Sequence, residues 1–245
     1  RMGLALENAQ LFRQARDKLE KSLSRVLSDL EGETPKFTPR YIGHMVSEVS
    51  LPALLGHVCA LLHNPNNTSR EVSRVTSRLE DEAISDLAAM VGFGKEARGH
   101  FTSGGTLANF EALWRAIVRL DRDYSARLGV SFLELGPWRF AMRYRDLTGD
   151  EFAGPVLLVP GNKHFSWEKA AVMMGLGADS FWPVGLDEMG RMDIKSLEHL
   201  LEKAHSEKRP VAMVVSVLGT TELGQVDPIA EASDLLERVE QRQGR

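Results

Sequence analysis

The chain has 245 residues, of which 43% are hydrophobic and 26% are charged, and its formal net charge is −4 at pH 7. This hydrophobic fraction supports a large buried core and argues against disorder, and the acidic balance argues against a general nucleic-acid binder. The one cysteine, Cys59, excludes an intrachain disulfide framework, and its apolar helical surroundings predict a buried side chain. No apolar run is long enough for a membrane span and no secretory signal is present, which favours a cytoplasmic protein with no membrane partner.

The N-terminal part of the chain is predicted to be helical. Hydrophobic residues recur at helical spacing over residues 3–31, and Gly32 is expected to end this amphipathic helix. We expect the helix to pack on another domain or subunit. Further helices are predicted over residues 51–63, where a proline lies in the first turn, and over about 71–91.

From residue 98 onwards, predicted strands alternate with predicted helices. Short apolar runs predict strands over 98–102, 155–160, 180–184 and 211–217, and helical periodicity predicts helices over 106–128, 165–175, 193–205 and from Pro228. The region 136–154 is interpreted as a surface excursion. Apolar strands that alternate with helices are typical of an α/β fold with a mostly parallel sheet covered on both faces, and ligands bind such sheets beyond the carboxyl ends of the strands.

The first strand end carries the turn Ser103-Gly104-Gly105-Thr106, which leads directly into a predicted helix. The first N–H groups of a helix have no intrahelical acceptor and the helix dipole favours negative charge there, so this geometry suits a phosphate. Two glycines let the backbone approach a ligand closely, and Thr106 can cap the helix or donate its hydroxyl. The alternative is a tight turn before a capped helix, with no ligand.

The second strand end carries His164, at the start of the helix that follows strand 155–160. Its planar ring suits stacking on an aromatic cofactor, and an imidazole suits proton transfer near neutral pH. The alternative is a capping or surface histidine. Lys163 and Lys169 are candidates for covalent attachment of a carbonyl compound, but we interpret both as solvated.

The third strand end is Gly219 to Pro228. The hydroxyls of Thr220 and Thr221 are candidates for lining a ligand, although a purely structural role for Thr221 is equally compatible with the sequence. Asp227 followed by Pro228 predicts a helix start with aspartate as the N-cap. The chain has no P-loop, G-x-G-x-x-G, H-E-x-x-H or G-x-S-x-G motif, and the spacing of its histidines predicts no metal site.

Together these three stretches resemble the group II decarboxylases that use pyridoxal phosphate. Residues 102–109 resemble the phosphate-binding motif of that family, residues 163–170 its histidine motif and residues 219–228 its Gly-Thr-Thr-x-x-Gly-x-x-Asp-Pro motif, in the same order and spacing. The resemblance covers about residues 35–228. It is closest to the bacterial tyrosine decarboxylase branch, through residues 39–48, 51–56, 64–67 and 111–114.

The resemblance implies a fold and a set of site residues. The fold would be that of the fold type I, aspartate aminotransferase-like enzymes, with three layers, a mostly parallel central sheet and an incomplete C-terminal end. Residues 1–70 would form an N-terminal helical dimerisation region of a homodimer, and residues 71–245 would form the N-terminal part of the large cofactor-binding domain. Pyridoxal 5'-phosphate would contact Ser103, Gly104, Gly105, Thr106, His164 and Thr221, with His164 stacking on its ring and assisting proton transfer and His44 approaching the substrate.

The implied activity is decarboxylation of an L-amino acid, with an aromatic substrate such as tyrosine preferred. A carbon–carbon lyase or an acidic amino acid decarboxylase of the same fold, and a non-catalytic truncated homologue, remain as alternatives. Leu107 replaces the glutamate that is common in the family. The family's Schiff-base lysine and the aspartate that pairs with the pyridine nitrogen lie downstream of the region that matches Asp227. We therefore expect this chain to be inactive alone and to come from a longer protein.

Overall fold

The structure is a computed structural model that describes residues 2–43 and 46–242. The chain divides into two compact units, Arg1–Asn64 and Pro65–Arg245. The first unit contains helix α1 (Met2–Leu30) and helix α2 (Leu51–His63), and α2 begins where the Ser50 hydroxyl accepts the Ala53 N–H. Cys59 is exposed on α2, so the expectation of a buried thiol is wrong; α2 buries none of its residues.

The second unit contains alternating strands and helices, including three of the four strands that the sequence predicts. In chain order they are α3 (Arg74–Met90), α4 (Gly105–Leu128), α5 (Phe132–Thr148), β1 (Val156–Pro160), α6 (Ser166–Met173), a short 3-10 helix (Ala178–Ser180), β2 (Phe181–Val184), α7 (Ile194–Ser206), β3 (Val211–Val214) and α8 (Ile229–Arg242). Within the part of the chain that the structure describes, no helix has the length and hydrophobicity needed to cross a membrane.

The sheet of the second unit has the strand order β2-β1-β3, and both strand pairs are parallel. All five residues of β1 are buried. Successive side chains of a strand point to opposite faces. Val156 and Leu158 therefore pack in a core with residues of α7 and α8, whereas Leu157 and Val159 pack in a second core with residues of α4 and α6. Helices cover both faces of the sheet, so the predicted three-layer α/β architecture is confirmed.

Residues 98–102 do not form the predicted strand. A strand requires a hydrogen-bonded neighbour, and in the described residues this segment has none. Its Phe101 N–H instead donates to the Glu80 carboxylate of α3 at 2.7 Å. This bond, together with one from the Asn67 amide, holds the pKa of Glu80 below its usual range. The segment before the glycine turn is therefore fixed by a side chain of α3.

The interpretation of residues 136–154 as a surface excursion is also wrong, because residues 132–148 form α5. Gly136 lies in the left-handed region (φ 72°) and kinks this helix just before Pro137, which interrupts the helical pattern in the sequence. Phe140 is fully buried and its ring makes edge or tilted contacts with Tyr124, Phe132, Tyr144 and Phe152. These aromatic contacts attach α5 to α4.

Candidate functional site

The glycine turn leaves three backbone donors at the start of α4. Gly104 is extended, and the first helical hydrogen bond runs from the Ala108 N–H to the Gly104 carbonyl at 3.1 Å. No side chain caps the helix, so Thr106 does not act as a cap. Within the described ranges, the N–H groups of Gly105, Thr106 and Leu107 have no acceptor. They are free to donate to a ligand.

The space in front of these donors is open. Residues 103–106 are exposed, and a Cβ added to Gly104 or Gly105 would meet no atom within 4 Å. The first turn of α4 carries no acidic side chain that would repel an anion. Three unpaired N–H groups and the positive end of a long helix favour a phosphate or carboxylate. The residues present therefore fit the phosphate group of the implied cofactor.

His164 lies in the connection that follows β1. Its side chain is exposed, and its ring is tilted by 33° against the Phe165 ring at a centroid distance of 4.2 Å. The Ser166 N–H donates to His164 Nδ1 at 3.2 Å, and the Ser166 hydroxyl is 2.9 Å from the same nitrogen. The ring is held on one edge and exposed elsewhere, which suits a side chain that contacts a ligand.

A hydrogen bond joins the first two predicted site regions. Asn109 lies on α4 one turn after Gly105, and its Nδ2 donates to Ser166 Oγ at 2.8 Å. Ser166 is fully buried. The bond brings the start of α4 next to the segment that bears His164. Both polar residues lie within the motifs at 102–109 and 163–170, but no role was predicted for either; the signal in the sequence is a serine two residues after the histidine.

The two lysines of this region differ. Lys169 is exposed, as expected for a solvated residue, and lies 4.4 Å from the centroid of the Phe165 ring. Lys163 is not solvated, since its side chain is only 15% exposed. Its Nζ pairs with Glu168 at 2.7 Å and lies 4.7 Å from the centroid of the Phe181 ring. Lys163 therefore contributes to packing between α6 and β2.

The two threonines of the loop after β3, Thr220 and Thr221, lie in different environments. The N–H groups of Gly219 and Thr220 both donate to the Gln225 carbonyl, at 2.9 and 3.0 Å. Thr220 is buried and its hydroxyl is hydrogen-bonded to the Gln225 side chain, which makes Thr220 structural. Thr221 is exposed, and in the described part of the chain no hydrogen bond links it to Gly105, Thr106 or His164. Its cofactor role stays a prediction, and His44 lies outside the described residues.

Asp227 does not cap a helix as predicted. It is only 4% exposed, and its two carboxylate oxygens accept the N–H groups of Met192 and Val217 at 2.7 and 2.6 Å. The first helical bond of α8 runs instead to the carbonyl of Pro228. Asp227 thus joins the end of β3 to the segment that leads into α7, and so supports the loop that carries Thr221.

Replacement of Asp227 by alanine is expected to destabilise the full-length protein by about 2–4 kcal/mol, because two buried or partly buried N–H groups lose their acceptor. Chemical denaturation measures the change. Asp234→Ala on α8 is the matched control, since Asp234 is exposed and the loss of charge is the same. Equal effects of the two substitutions would show that the Asp227 hydrogen bonds contribute nothing.

The chain is similar in sequence and in structure to known amino acid decarboxylases. The chain is 37% identical to the L-tyrosine decarboxylase of Levilactobacillus brevis over 225 residues, which cover 82% of this chain and 36% of that enzyme. It is 30% identical to the aspartate 1-decarboxylase of Aliivibrio fischeri over 215 residues, 82% of this chain and 37% of that enzyme. The crystal structure of mouse CSAD in apo form superposes with a TM-score of 0.71 at 27% identity, over 92% of this chain and 42% of the mouse chain.

The chain thus spans little more than a third of the length of these two relatives. No family model matches it.

Proposed function

The chain belongs to the group II amino acid decarboxylases that depend on pyridoxal phosphate, and we propose that the whole protein converts an L-amino acid to its amine and carbon dioxide. The main structural support for this activity is the set of unpaired backbone N–H groups at the start of α4, which lies next to the segment that bears His164. The bond between Asn109 and Ser166 links these two features.

We assign the cofactor phosphate to the turn at residues 103–106. The N–H groups of Gly105 and Thr106, which have no acceptor in the described residues, would donate to the phosphate oxygens, Ser103 and Gly104 would form the approach to them, and the helix dipole would add to the attraction. When bound, the cofactor withdraws electrons from the substrate so that the carboxylate can leave. His164 would contact the cofactor ring and orient the reacting groups, and Thr221 would contribute to the same pocket. His44 is assigned to the substrate side.

The proposed substrate is an aromatic L-amino acid such as tyrosine. The support is the 37% identity to an L-tyrosine decarboxylase over most of the chain. An acidic substrate is the second candidate, because the relative from Aliivibrio fischeri is an aspartate 1-decarboxylase at 30% identity. A carbon–carbon lyase or a non-catalytic homologue would share the fold but would not release carbon dioxide and an amine.

We also propose that the whole protein is a cytoplasmic homodimer. The support for a homodimer comes from the first unit, where α2 exposes six large apolar side chains, namely Leu51, Leu54, Leu55, Val58, Leu61 and Leu62. An apolar face of this kind is stabilised when another protein surface covers it.

The test uses the full-length protein supplied with pyridoxal phosphate. The bound cofactor is followed by its visible absorbance, and amine and carbon dioxide are measured for tyrosine, aspartate and 2,4-diaminobutyrate. We expect release with the highest kcat/KM for tyrosine. Faster release from aspartate would favour the acidic-substrate alternative. Failure to bind the cofactor, together with no release from any amino acid, would overturn the proposed function.

A further inference from the structure

The hydrogen bonds around His164 determine which ring nitrogen carries the proton. A backbone N–H can only donate, so the bond from the Ser166 N–H to His164 Nδ1, at 3.2 Å, requires Nδ1 to be an acceptor. A neutral imidazole whose Nδ1 accepts has its hydrogen on Nε2. In the described part of the chain, Nε2 makes no hydrogen bond.

Asn109 acts on the same nitrogen through Ser166. The Asn109 amide donates to Ser166 Oγ at 2.8 Å, and Ser166 Oγ is 2.9 Å from Nδ1. An oxygen that accepts from the amide is free to direct its own hydrogen toward the histidine. Ser166 is fully buried, so water does not compete for this hydroxyl. The donors therefore run in one direction, from the amide to the hydroxyl to Nδ1.

We propose that Asn109 and Ser166 are positioning residues that hold His164 in the tautomer with its hydrogen on Nε2. The ring then presents an N–H donor on the edge that faces away from Ser166. This rests on the proposed function, in which that edge of His164 orients the reacting groups. Asn109 is on α4, the helix to whose first turn the cofactor phosphate is assigned. The same helix would therefore bind the phosphate and hold the Nε2–H of His164 in place.

Two substitutions of Asn109 distinguish a role in fixing the His164 tautomer from a role in packing alone. Asn109→Asp keeps the shape but replaces the donor with an acceptor, so the Ser166 hydroxyl hydrogen turns toward the carboxylate. The Ser166 oxygen, 2.9 Å from Nδ1, then accepts a hydrogen from that nitrogen and competes with the longer bond from the Ser166 N–H at 3.2 Å. Asn109→Leu removes the hydrogen bond without reversing it, and the hydroxyl can still donate to Nδ1. The structure therefore predicts that only the aspartate variant alters the tautomer.

The measurement is solid-state ¹⁵N NMR of the full-length protein labelled at histidine, with His164→Gln used to assign the signal. We expect the wild type and Asn109→Leu to show Nδ1 without a proton, and Asn109→Asp to lose most of that signal. In the decarboxylation assay, kcat of Asn109→Asp should fall at least about tenfold with KM within about twofold, and kcat of Asn109→Leu should fall less.

An unchanged His164 signal in Asn109→Asp, or equal losses of kcat in both variants with the same tautomer, would overturn the inference. If Asn109→Asp does not fold, Ser166→Ala replaces it, because it removes one of the two donors to Nδ1 and should shift the signal in the same direction by less. A wild-type protein without decarboxylase activity would contradict the proposed function alone, since the NMR signal still reports the tautomer.

Discussion

Replacement of His164 by alanine should lower kcat of the full-length protein by about 100-fold or more, the range typical of a lost proton-transfer or orienting group. The free energy of unfolding should fall by only about 1–2 kcal/mol, because the ring is exposed and its removal costs the Ser166 N–H its acceptor and breaks the contact with Phe165. Turnover at saturating cofactor and chemical denaturation measure the two effects.

His199→Ala is the matched control, since His199 is an exposed histidine on α7 and has no role in the site. It should leave both turnover and stability unchanged. If His164→Ala retained the wild-type turnover, the assignment of His164 to the reaction would be wrong.

The second large effect is expected for Gly105→Pro, which removes one backbone N–H donor and should weaken binding of the cofactor. Gly105 is the first residue of α4, a position that accepts proline, and the extended Gly104 before it is compatible with a following proline. A hydrogen bond to a charged group contributes about 1.5–3 kcal/mol, so cofactor affinity should fall at least about tenfold. The helix itself should remain intact.

Gly105→Ala is the comparison for this variant, because both substitutions add a Cβ and only proline removes the N–H. A Cβ at this position meets no protein atom within 4 Å, so neither variant is expected to strain the fold. Cofactor affinity is measured by titration of the apoprotein while the absorbance is followed. Equal affinities of the proline and alanine variants would show that the Gly105 N–H does not bind the phosphate.

Local signals predicted most of the fold. The five-residue apolar run of β1 is buried on both faces, and the helical periodicity of α4 begins within one residue of the predicted start. Both patterns depend on neighbours within a few residues, and such short-range preferences are present in the sequence itself. The glycine turn was recognisable for the same reason, because a strand-like run, two glycines and a helix lie next to each other in the chain.

The wrong predictions concern residues whose partners are distant in sequence. Residues 98–102 have strand propensity, but in the described residues they pair with no strand and Phe101 bonds instead to Glu80 of α3. Asp227 has the sequence of an N-cap, yet its carboxylate bonds to Met192, 35 residues away. In both places the hydrogen bond forms with a residue that is distant in sequence instead of with a neighbour. A pattern of neighbouring residues does not contain that information.

The amino-acid sequence was enough to predict the α/β class, the order of most elements and the three segments at which chemistry was expected. The packing of separate elements brings Asn109 of α4 to Ser166 and Ser166 to His164, places Lys163 against Phe181, and gives Thr220 a structural partner in Gln225. The reason is physical: secondary structure follows from nearest neighbours along the chain, whereas a hydrogen-bond partner is set by how separate elements pack.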